Sequence, residues 1–528
     1  MNPSSAMPAS VGPASSASAP DIPIVGARRL IGTLALSLAT FMSVLDISIA
    51  NVSIPAIAGD LGVSPHQGTW IITSFGVATA ISLPLTGWLV QRIGTVRLFV
   101  GSVLFFTLMS LLCGAAPTIE ALVVLRVLQG AAAGPMIPLC QALLLRSYPP
   151  NRLGFALGAL AITTLMAPLT GPLLGGWLTD NHSWRWIFYV NGPVGLVSAA
   201  VAWRIFRPLE TALRRAPIDG IGLALLVVWV GSLQLVFDLG KDRDWFDSQL
   251  ILMLALTAAL AFAVFMVWEL TEPDPVIDLS LFRIRSFWVG TLAMSMAYAL
   301  FLGNLVLLPL WLQQHVGYTA TLAGLVLAPA GVLGILATPF VGRLIGRSDP
   351  RWLVSAAFVV FGGSMWMRAQ LGADADLASF MLPSLVQGAG NAMFFVPLLA
   401  IILSRLPADR IAAGSGVSNF LRYTAGAFGT SLITTAWGWR AAFHRTRLME
   451  AVSEGTGPLV AMRDALATVG LSDRQQFAAI ERVVEQQAHT LAVNEIFMLS
   501  AILYLGLIGV LWAGYRDVSA SGNAGPGP

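Results

Sequence analysis

The sequence predicts an all-α polytopic membrane protein. Of its 528 residues, 56% are hydrophobic and 11% are charged, whereas soluble globular proteins carry about 25% charged residues. Apolar runs long enough to cross a bilayer as helices recur along the whole chain, from Leu30 to Tyr515. The protein therefore lacks the polar surface that a soluble fold requires.

We predict about fourteen membrane-spanning helices, because each apolar run has roughly the 20 residues that span the hydrocarbon layer. The even number places both termini on the same side of the membrane. The predicted spans are Leu30–Ile57, Gly68–Val90, Val96–Ala116, Thr118–Leu145, Leu153–Leu178, Trp186–Phe206, Gly220–Phe237, Gln249–Leu270, Phe287–Leu312, Leu322–Ile345, Trp352–Leu371, Ala378–Leu403, Ile411–Trp437 and Leu491–Tyr515.

Arginine is concentrated in alternate loops, for example at Arg92, Arg146 and Arg405, while the short loops between them carry few basic residues. Because positive residues favour the cytoplasmic side, we predict that both termini are cytoplasmic. Residues 1–27 and 516–528 have the composition of disordered cytoplasmic tails. The basic residues follow this topology, so they give no support to nucleic-acid binding.

The chain contains an internal repeat. The stretch LQGAAAGPMIPL from Leu128 is similar to VQGAGNAMFFVPL from Val386, which aligns Gln129 with Gln387. We therefore predict two related six-helix bundles, residues 28–208 and 273–515, with two inserted helices in residues 209–272. Duplicated halves in an apolar chain are typical of secondary transporters, whose substrate site lies between the halves.

Two spans contain residues that an ordinary membrane helix avoids. In RVLQGAAAGP, Arg126 lies about 12 Å inside its helix at helical rise, which is deep for snorkelling, although a snorkelling helix-end arginine remains the alternative. In APLTGPLLGG, prolines kink the helix and glycines allow a neighbouring helix to approach closely; a simple packing seam is the alternative. The residues of the second motif are Pro168, Gly171, Pro172, Gly175 and Gly176.

These stretches resemble signatures of the major facilitator superfamily. GWLVQRIGTVR resembles the gating-loop signature between helices 2 and 3, although Gln91 replaces the usual aspartate and cytoplasmic anchoring is an equal alternative. The Arg126 stretch resembles the helix-4 signature, in which a buried arginine is linked to proton transfer. The APLTGPLLGG stretch resembles the helix-5 signature of antiporters that export. The matching loop residues are Gly87, Arg92, Gly94 and Arg97.

The chain most resembles the EmrB-type multidrug exporters of the fourteen-helix drug:proton antiporter branch, through phrases such as WRWIFYVNGPVG and GYTATLAGL. The resemblance implies a Gram-negative inner-membrane protein that exports small hydrophobic drugs. It further implies that the proton gradient supplies the energy, with no bound cofactor, and that a periplasmic membrane-fusion adaptor protein links the exporter to an outer-membrane channel.

Asp46, in FMSVLDISIAN, lies within the first predicted span. A carboxylate at the bilayer centre costs about 2.5–3.5 kcal/mol on insertion scales, so it is a functional residue by default. Helical rise places Asp46 at a depth similar to that of Arg126. We predict that these two residues form the proton-coupling pair; a permanently ionised structural partnership and simple helix packing are the alternatives.

Polar and aromatic residues in several spans are candidates for a substrate pocket, because multidrug sites are apolar with a few polar groups. Each of them is as often a packing residue as a ligand. The candidates are Phe75, Gln141, Met294, Tyr298, Asn304, Gln387, Asn391, Asn419 and Arg422.

Three acidic residues and one long loop complete the predictions. Asp238 and Glu269 fall at the ends of the inserted helices, where exposure to water is cheap, and we interpret them, with Asp278, as structural. Residues 438–490 form a long polar loop, for which contact with the adaptor and a free solvated hairpin are equal alternatives.

Among other functions, a dedicated exporter of one metabolite, such as a fatty acid or siderophore, shares the fold. The helix-5 motif argues against a nutrient importer. The sequence has no nucleotide loop, no metal-spaced histidine cluster and no nucleophile elbow, so we predict a transporter and not an enzyme.

Overall fold

The computed structural model describes residues 24–148, 170–211, 219–240, 243–273, 275–345, 349–406, 410–453 and 472–513, and isolated positions 167, 213, 464, 466 and 468. Within these residues the regular structure is helical, as predicted. The first half contains α1 (Gly26–Asp60), α2 (Pro65–Gly68), α3 (Trp70–Ile93), α4 (Thr95–Gly114), α5 (Ile119–Ser147), α6 (residues 170–181), α7 (Trp186–Tyr189) and α8 (Asn191–Phe206).

Two inserted helices and a second half follow. The inserted helices are α9 (Gly220–Leu239) and α10 (Gln249–Thr271). The second half contains α11 (Arg285–Trp311), α12 (Ala320–Ile345), α13 (Pro350–Arg368), α14 (Leu377–Leu403), α15 (Ile411–Ser453) and α16 (Asp473–Ala513).

The predicted membrane spans agree with these helices. Among the described residues, 11 helices are long and apolar enough to cross a membrane. Of the three remaining predicted spans, Trp352–Leu371 and Ile411–Trp437 correspond to α13 and α15. The third, Leu153–Leu178, lies mostly outside the described residues, which include α6. The chain is thus a multi-pass membrane protein of the predicted fold class.

The internal repeat is visible in the packing. Gly130 of α5 lies against the backbone of α3, where an added Cβ would meet Phe75 O at 2.4 Å. The aligned Gly388 of α14 lies in the same way against α12, with Ala330 O at 2.2 Å from such a Cβ. Small residues at these positions allow helix backbones to touch, and both halves use this device at the same place.

The two halves meet at the end of the bundle where α1 finishes at Asp60, which we call the distal end. There Gln313 Nε2 donates to Val52 O at 2.9 Å, and Thr321 N donates to Asp180 Oδ2 at 2.7 Å. Further along, α3 packs on α15, where an added Cβ on Gly76 would lie 3.6 Å from Ala427 Cβ. The distal end is therefore closed by direct contacts between the halves.

Helices α15 and α16 are too long to be simple spans. Their 43 and 41 residues correspond to about 60 Å each at 1.5 Å rise, whereas the hydrocarbon layer is about 30 Å thick. The predicted loop of residues 438–490 is thus largely helical where it is described. Its first part continues α15 beyond Trp437, and its last part forms the first turns of α16.

Candidate functional site

Asp46 and Arg126 form a buried ion pair between α1 and α5. Both side chains are fully buried, and Arg126 Nη1 donates to Asp46 Oδ2. Burying two charges costs several kcal/mol per ion, which mutual attraction offsets only when the other polar atoms are also satisfied. The structure therefore brings together the two residues that the sequence predicts as a pair, and excludes snorkelling for Arg126.

Two amides complete the acceptor side of this pair. Asp46 Oδ1 accepts from Gln129 Nε2 at 3.0 Å and from Asn191 Nδ2 at 2.9 Å. Asn191 belongs to α8 and also donates to Ser110 of α4. The carboxylate of α1 is thus held from two other helices, α5 and α8. Sequence reasoning missed both amides; their polarity within apolar spans was the available signal.

Arg126 is positioned by three kinds of contact besides the carboxylate. Its Nε donates to Ile71 O of α3 at 3.0 Å, and its Nη1 donates to Gln129 Oε1 at 2.9 Å. The guanidinium carbon lies 4.2 Å from the centroid of the Phe75 ring, a distance at which a cation is attracted to an aromatic face. Nη2 has no hydrogen-bond partner among the described residues. This buried donor is free for another acceptor.

The helix-5 motif forms a seam at which the halves meet. A Cβ on Gly175 would lie 2.5 Å from Ile49 O of α1, and one on Gly176 would lie 2.5 Å from Ala320 O of α12. Gly171 faces Ser48 in the same way, and Pro172 O lies against Gly324. Helix α6 is therefore wedged at backbone distance between one helix of each half. Pro168 lies outside the described residues.

The gating-loop residues adopt a tight turn between α3 and α4. Gly94 ends α3 with φ of 96°, a conformation that glycine tolerates best. Glu210, which the sequence analysis did not single out, accepts from Val96 N and Arg97 N, both at 3.0 Å. A carboxylate at a helix N-terminus is favoured by the free N–H groups and the helix dipole, so Glu210 anchors the start of α4.

The remaining loop residues make surface contacts. Gly87 has open space around it, and Arg92 lies over the Trp88 ring at 5.4 Å. Arg97 is exposed and 3.9 Å from Glu210, a distance that contributes little in water. These positions are compatible with the anchoring alternative.

Two of the predicted pocket residues, Tyr298 and Arg422, lie together in the second half. Arg422 of α15 lies over the rings of Tyr298, Phe395 and Tyr423, at 5.1, 5.4 and 4.6 Å from their centroids. Among the described residues no carboxylate pairs with Arg422, and its Nε has no hydrogen-bond partner. A half-buried guanidinium surrounded by aromatic side chains is a suitable contact for the acidic head group of an amphiphile.

Other pocket candidates serve different contacts. Phe75 belongs to the Arg126 site, and Asn304 is fully buried, donating to Leu300 O and to Ser500 of α16. Gln387 accepts from the buried Arg368 at 2.7 Å. Four candidates complete the set: Gln141 is exposed, Met294 is buried, and Asn391 and Asn419 are half-buried.

Arg368 and Gln387 repeat one part of the Asp46 site. Gln129 and Gln387 align in sequence, and each accepts from a buried arginine. Arg368 also donates to Ser384, but the described residues of the second half give it no carboxylate. The complete ion pair is therefore a property of the first half.

The acidic residues of the inserted helices correct one expectation. Asp238 and Glu269 are 5% and 3% exposed, so neither meets water as predicted. Glu269 accepts from Ile277 N, and Asp238 accepts from Thr73 and Ser431, one residue from each half. Asp278 pairs with Arg410 at 3.7 Å and has the structural role predicted. Sequence position alone did not reveal that neighbouring helices cover the distal end of α9.

An apolar cleft lies beside Asp238. It has a volume of about 600 Å³ and opens between α9, the turn after it and α15. The lining residues are Phe237, Trp245, Phe246, Leu432, Thr435, Ala436 and Trp439.

The helical extension of α15 and α16 is braced by ion pairs. Arg440 donates to Glu495 at 2.5 and 2.8 Å, and Arg445 pairs with Glu481 at 2.7 Å. Trp437 Nε1 donates to His489 O at its base. Phe443, Met449 and Phe477 remain at least 40% exposed on this extension. A braced hairpin with exposed apolar groups has the character of a contact surface.

Comparison with known proteins identifies the family. The model of the Major Facilitator Superfamily matches residues 36–430. The multidrug export protein EmrB of Haemophilus influenzae is 48% identical over 491 residues, covering 93% of this chain and 96% of that protein. The fatty acid resistance protein FarB of Neisseria gonorrhoeae is 45% identical, covering 93% of this chain and 97% of that protein.

Solved structures show the same fold. A bacterial homologue of the human lysosomal transporter Spinster has a TM-score of 0.60 at 15% identity, covering 93% of this chain and 99% of that one. A peptide transporter in complex with sulfate has a TM-score of 0.61 at 13% identity, covering 92% and 95%. The chain belongs to the Major Facilitator Superfamily, within the group of EmrB-type multidrug exporters.

Proposed function

We propose that this protein is a proton-coupled efflux antiporter of the bacterial inner membrane that exports hydrophobic and amphiphilic compounds. The observation that carries the proposal is the buried Asp46–Arg126 pair, because an ionisable pair inside a transporter's helices is costly unless it is used. The similarity to EmrB and FarB supports export as the direction of transport.

The geometry suggests how proton binding is coupled to movement. Protonating Asp46 removes the charge that Arg126 faces and leaves a buried guanidinium whose remaining described contacts, with Gln129, Ile71 O and the rings of Phe75 and Phe188, are all neutral. An unpaired buried charge is strongly destabilising. Protonation therefore favours a conformation in which Arg126 reaches another acceptor or water, and substrate binding competes with protonation in this region.

The energy available fits this role. A membrane potential of 100 mV contributes about 2.3 kcal/mol for each charge moved. We place the distal end on the periplasmic side, in agreement with the arginine distribution of the loops, so that α1 begins in the cytoplasm. Protons then enter from the side on which substrate leaves.

Reconstituted vesicles test the proposal. With an imposed pH gradient, the wild type should move a fluorescent lipophilic cation against its concentration gradient, and Asp46→Asn should bind the dye without being driven by protons. Asp60→Asn is a matched control, because Asp60 lies on the same helix but is half-exposed and pairs with Arg185 at the surface. An Asp46→Asn protein that is driven as well as the wild type would exclude Asp46 as the coupling carboxylate.

The hairpin of α15 and α16 supports an adaptor contact. We propose that its exposed apolar residues bind a periplasmic membrane-fusion adaptor, through which the exporter is connected to an outer-membrane channel. The hairpin reaches beyond the hydrocarbon layer by its length alone.

A second candidate function is the dedicated export of an acidic amphiphile such as a fatty acid. The observation that favours it is Arg422, which no described carboxylate neutralises and which aromatic rings surround. A carboxylate head would pair with the guanidinium while its tail lies on the rings. We expect Arg422→Gln to weaken binding of a long-chain fatty acid about tenfold, the equivalent of about 1.4 kcal/mol, and to leave a lipophilic cation unaffected. Equal losses for both ligands would contradict an anion-specific role.

A further inference from the structure

Asp238 holds one side chain from each half of the transporter. Its carboxylate accepts from Thr73 Oγ1 of α3 at 2.9 Å and from Ser431 Oγ of α15. Gln234, one turn earlier on α9, donates to Asp238 Oδ1 at 2.7 Å and to Ser431 Oγ at 2.8 Å. We call these residues, Thr73, Gln234, Asp238 and Ser431, the distal latch. They join both halves through an inserted helix.

The latch is fixed on one side and separable on the other. The backbone carbonyl of Asp238 accepts from His66 Nε2 at 3.1 Å and from Trp70 Nε1 at 3.2 Å. Together with Thr73, these bonds attach the end of α9 to the first half at three points. Among the described residues, the second half contributes the Ser431 hydroxyl to this hydrogen-bond cluster, beside an apolar contact between the rings of Phe237 and Phe428. If α9 stays with the first half, opening of the distal end breaks the latch bonds to Ser431 together with the contacts of Gln313 with Val52 and of Thr321 with Asp180.

No cation from the described part of the chain pairs with the buried carboxylate of Asp238. The donors to its oxygens, from Thr73, Gln234 and Ser431, are all neutral, and among the described residues no ion pair reaches it. A titratable group among the described residues, His66 of α2, donates through Nε2 to the backbone carbonyl of Asp238. Asp46 differs in this respect, because Arg126 balances its charge.

The sign of the proton effect follows from this environment. Burying an ion that lacks a counter-charge carries a large desolvation penalty, and hydrogen bonds from neutral donors recover only part of it. A proton on the carboxylate removes the charge and with it most of the penalty. Closing the distal end buries Asp238, so closure favours proton uptake, and ionisation favours opening.

We propose that Asp238 is a second proton-binding site, separate from the Asp46–Arg126 pair, and that it makes closure of the distal end depend on protonation. This inference rests on the proposed function only in that the halves open and close during export. In that cycle the latch binds a proton from the distal medium as the halves close and releases it as they separate. Its protonation thus sets the timing of the gate, whereas Asp46 supplies the coupling.

Distance measurements between spin labels test the proposal without substrate or gradient. Labels at Asn181→Cys on α6 and Gln314→Cys after α11 report opening, because both positions are exposed at the distal end and belong to different halves. Both native cysteines are buried. An Asp46→Asn background removes the carboxylate of the proposed coupling pair. In that background, we expect the open fraction to rise as the pH is raised from 5 to 8.

Two variants locate the response. Asp238→Asn, a neutral isostere of the protonated acid, should remain closed with no pH dependence. Ser431→Ala should raise the open-to-closed ratio at both pH values, and the increase should be roughly tenfold larger at pH 8 than at pH 5. The reason is that the hydrogen bond from Ser431 to an ionised carboxylate is stronger than one to the protonated acid. Asp180→Asn is the matched control: Asp180 also joins the halves, by accepting from Thr321 N, but it is exposed, so its pH response should be unchanged.

Two results would overturn the proposal: an Asp238→Asn protein with the pH response of its parent, or a parent that closes as the pH rises. Failure of the proposed function gives a different result. If dye is not driven by protons in vesicles while the distal labels still respond to pH through Asp238, the latch stands and the antiport proposal does not.

Discussion

At the scale of single residues, the central feature is the carboxylate of Asp46. Helix α5 supplies it with the cation of Arg126 and the amide of Gln129, and helix α8 supplies the amide of Asn191. The sequence was sufficient to pair Asp46 with Arg126, because helical rise places them at the same depth and an intramembrane charge needs a partner. The polarity of Gln129 and Asn191 within apolar spans was a signal, but their contact with Asp46 was not predictable, since which face of α5 and α8 turns towards α1 depends on packing that no local pattern encodes.

The ion pair gives a prediction on stability. Arg126→Met should destabilise the folded protein by about 3–5 kcal/mol, because it leaves Asp46 buried without its cation. The double variant Arg126→Met with Asp46→Asn should recover most of that loss and still fail to transport. Thermal unfolding in detergent measures the first effect and vesicle assays the second. A double variant no more stable than Arg126→Met would show that the charges do not interact energetically.

A second prediction concerns the shape of the guanidinium. Arg126→Lys keeps the charge, but a single ammonium cannot reach Asp46, Gln129 and Ile71 O together. We expect proton-driven transport to fall at least tenfold with a smaller loss of stability than in Arg126→Met. Transport at the wild-type rate would mean that positive charge alone suffices at this position.

At the scale of elements, the helix-5 motif acts through its glycines as a place where backbones meet. The motif was predictable as a close approach, because glycine and proline have known effects on helices. Its neighbours were not: one seam binds α1 of the same half and the other binds α12 of the opposite half. A single stretch of α6 therefore joins the halves, which a purely local motif does not indicate.

Substitution of one glycine tests this seam. Gly176→Ala places a Cβ 2.5 Å from Ala320 O, so the halves must separate locally; we expect a longer distance between the distal labels and slower transport. Gly101→Ala is the matched control, because its Cβ would meet nothing within 4 Å, and alanine favours the helix by roughly 0.5–1 kcal/mol. Equal behaviour of the two variants would contradict the seam.

The start of α4 gives another test at this scale. Glu210→Gln leaves one acceptor oxygen where Val96 N and Arg97 N each use one, and it removes the charge that the helix dipole favours. We expect a loss of about 1 kcal/mol in stability, the usual size of a lost helix cap. Arg97→Gln is the comparison: it removes only a weak surface ion pair, and its unfolding temperature should not change.

At the scale of the whole molecule, the fold class, the duplication and the inserted pair were all predictable, because bilayer thickness and repeated stretches constrain them directly. The exposure of side chains at the ends of helices was not predictable from the sequence. The end of α9 was expected to meet water, but helices of both halves cover Asp238. Likewise, the segment after Trp437 was expected to be a polar loop, but it continues two membrane helices, α15 and α16. The sequence did not reveal this, because a polar helix outside the bilayer resembles a free loop in its sequence pattern.

The projecting hairpin leads to a prediction for the assembled system. Phe477→Asp changes an exposed residue of the extension. We expect dye transport in vesicles to be unaffected and drug resistance of cells to fall, because the substitution would disrupt the proposed adaptor contact. Phe477→Leu keeps the surface apolar and should retain resistance. If Phe477→Asp cells remain fully resistant, this part of the hairpin does not contact the adaptor.

The sequence of helix α10 is less constrained by protein packing than the sequences of its neighbours. Only 17% of its most apolar window is buried, and residues such as Leu260 and Val267 are more than 60% exposed. For most of its length lipid is the environment, and lipid accepts any apolar side chain. Length and apolarity are therefore nearly its only requirements, and exchanges among Leu, Ile, Val and Phe should be neutral. We expect evolutionary drift to be fast along α10 and slow at the last turn of α9.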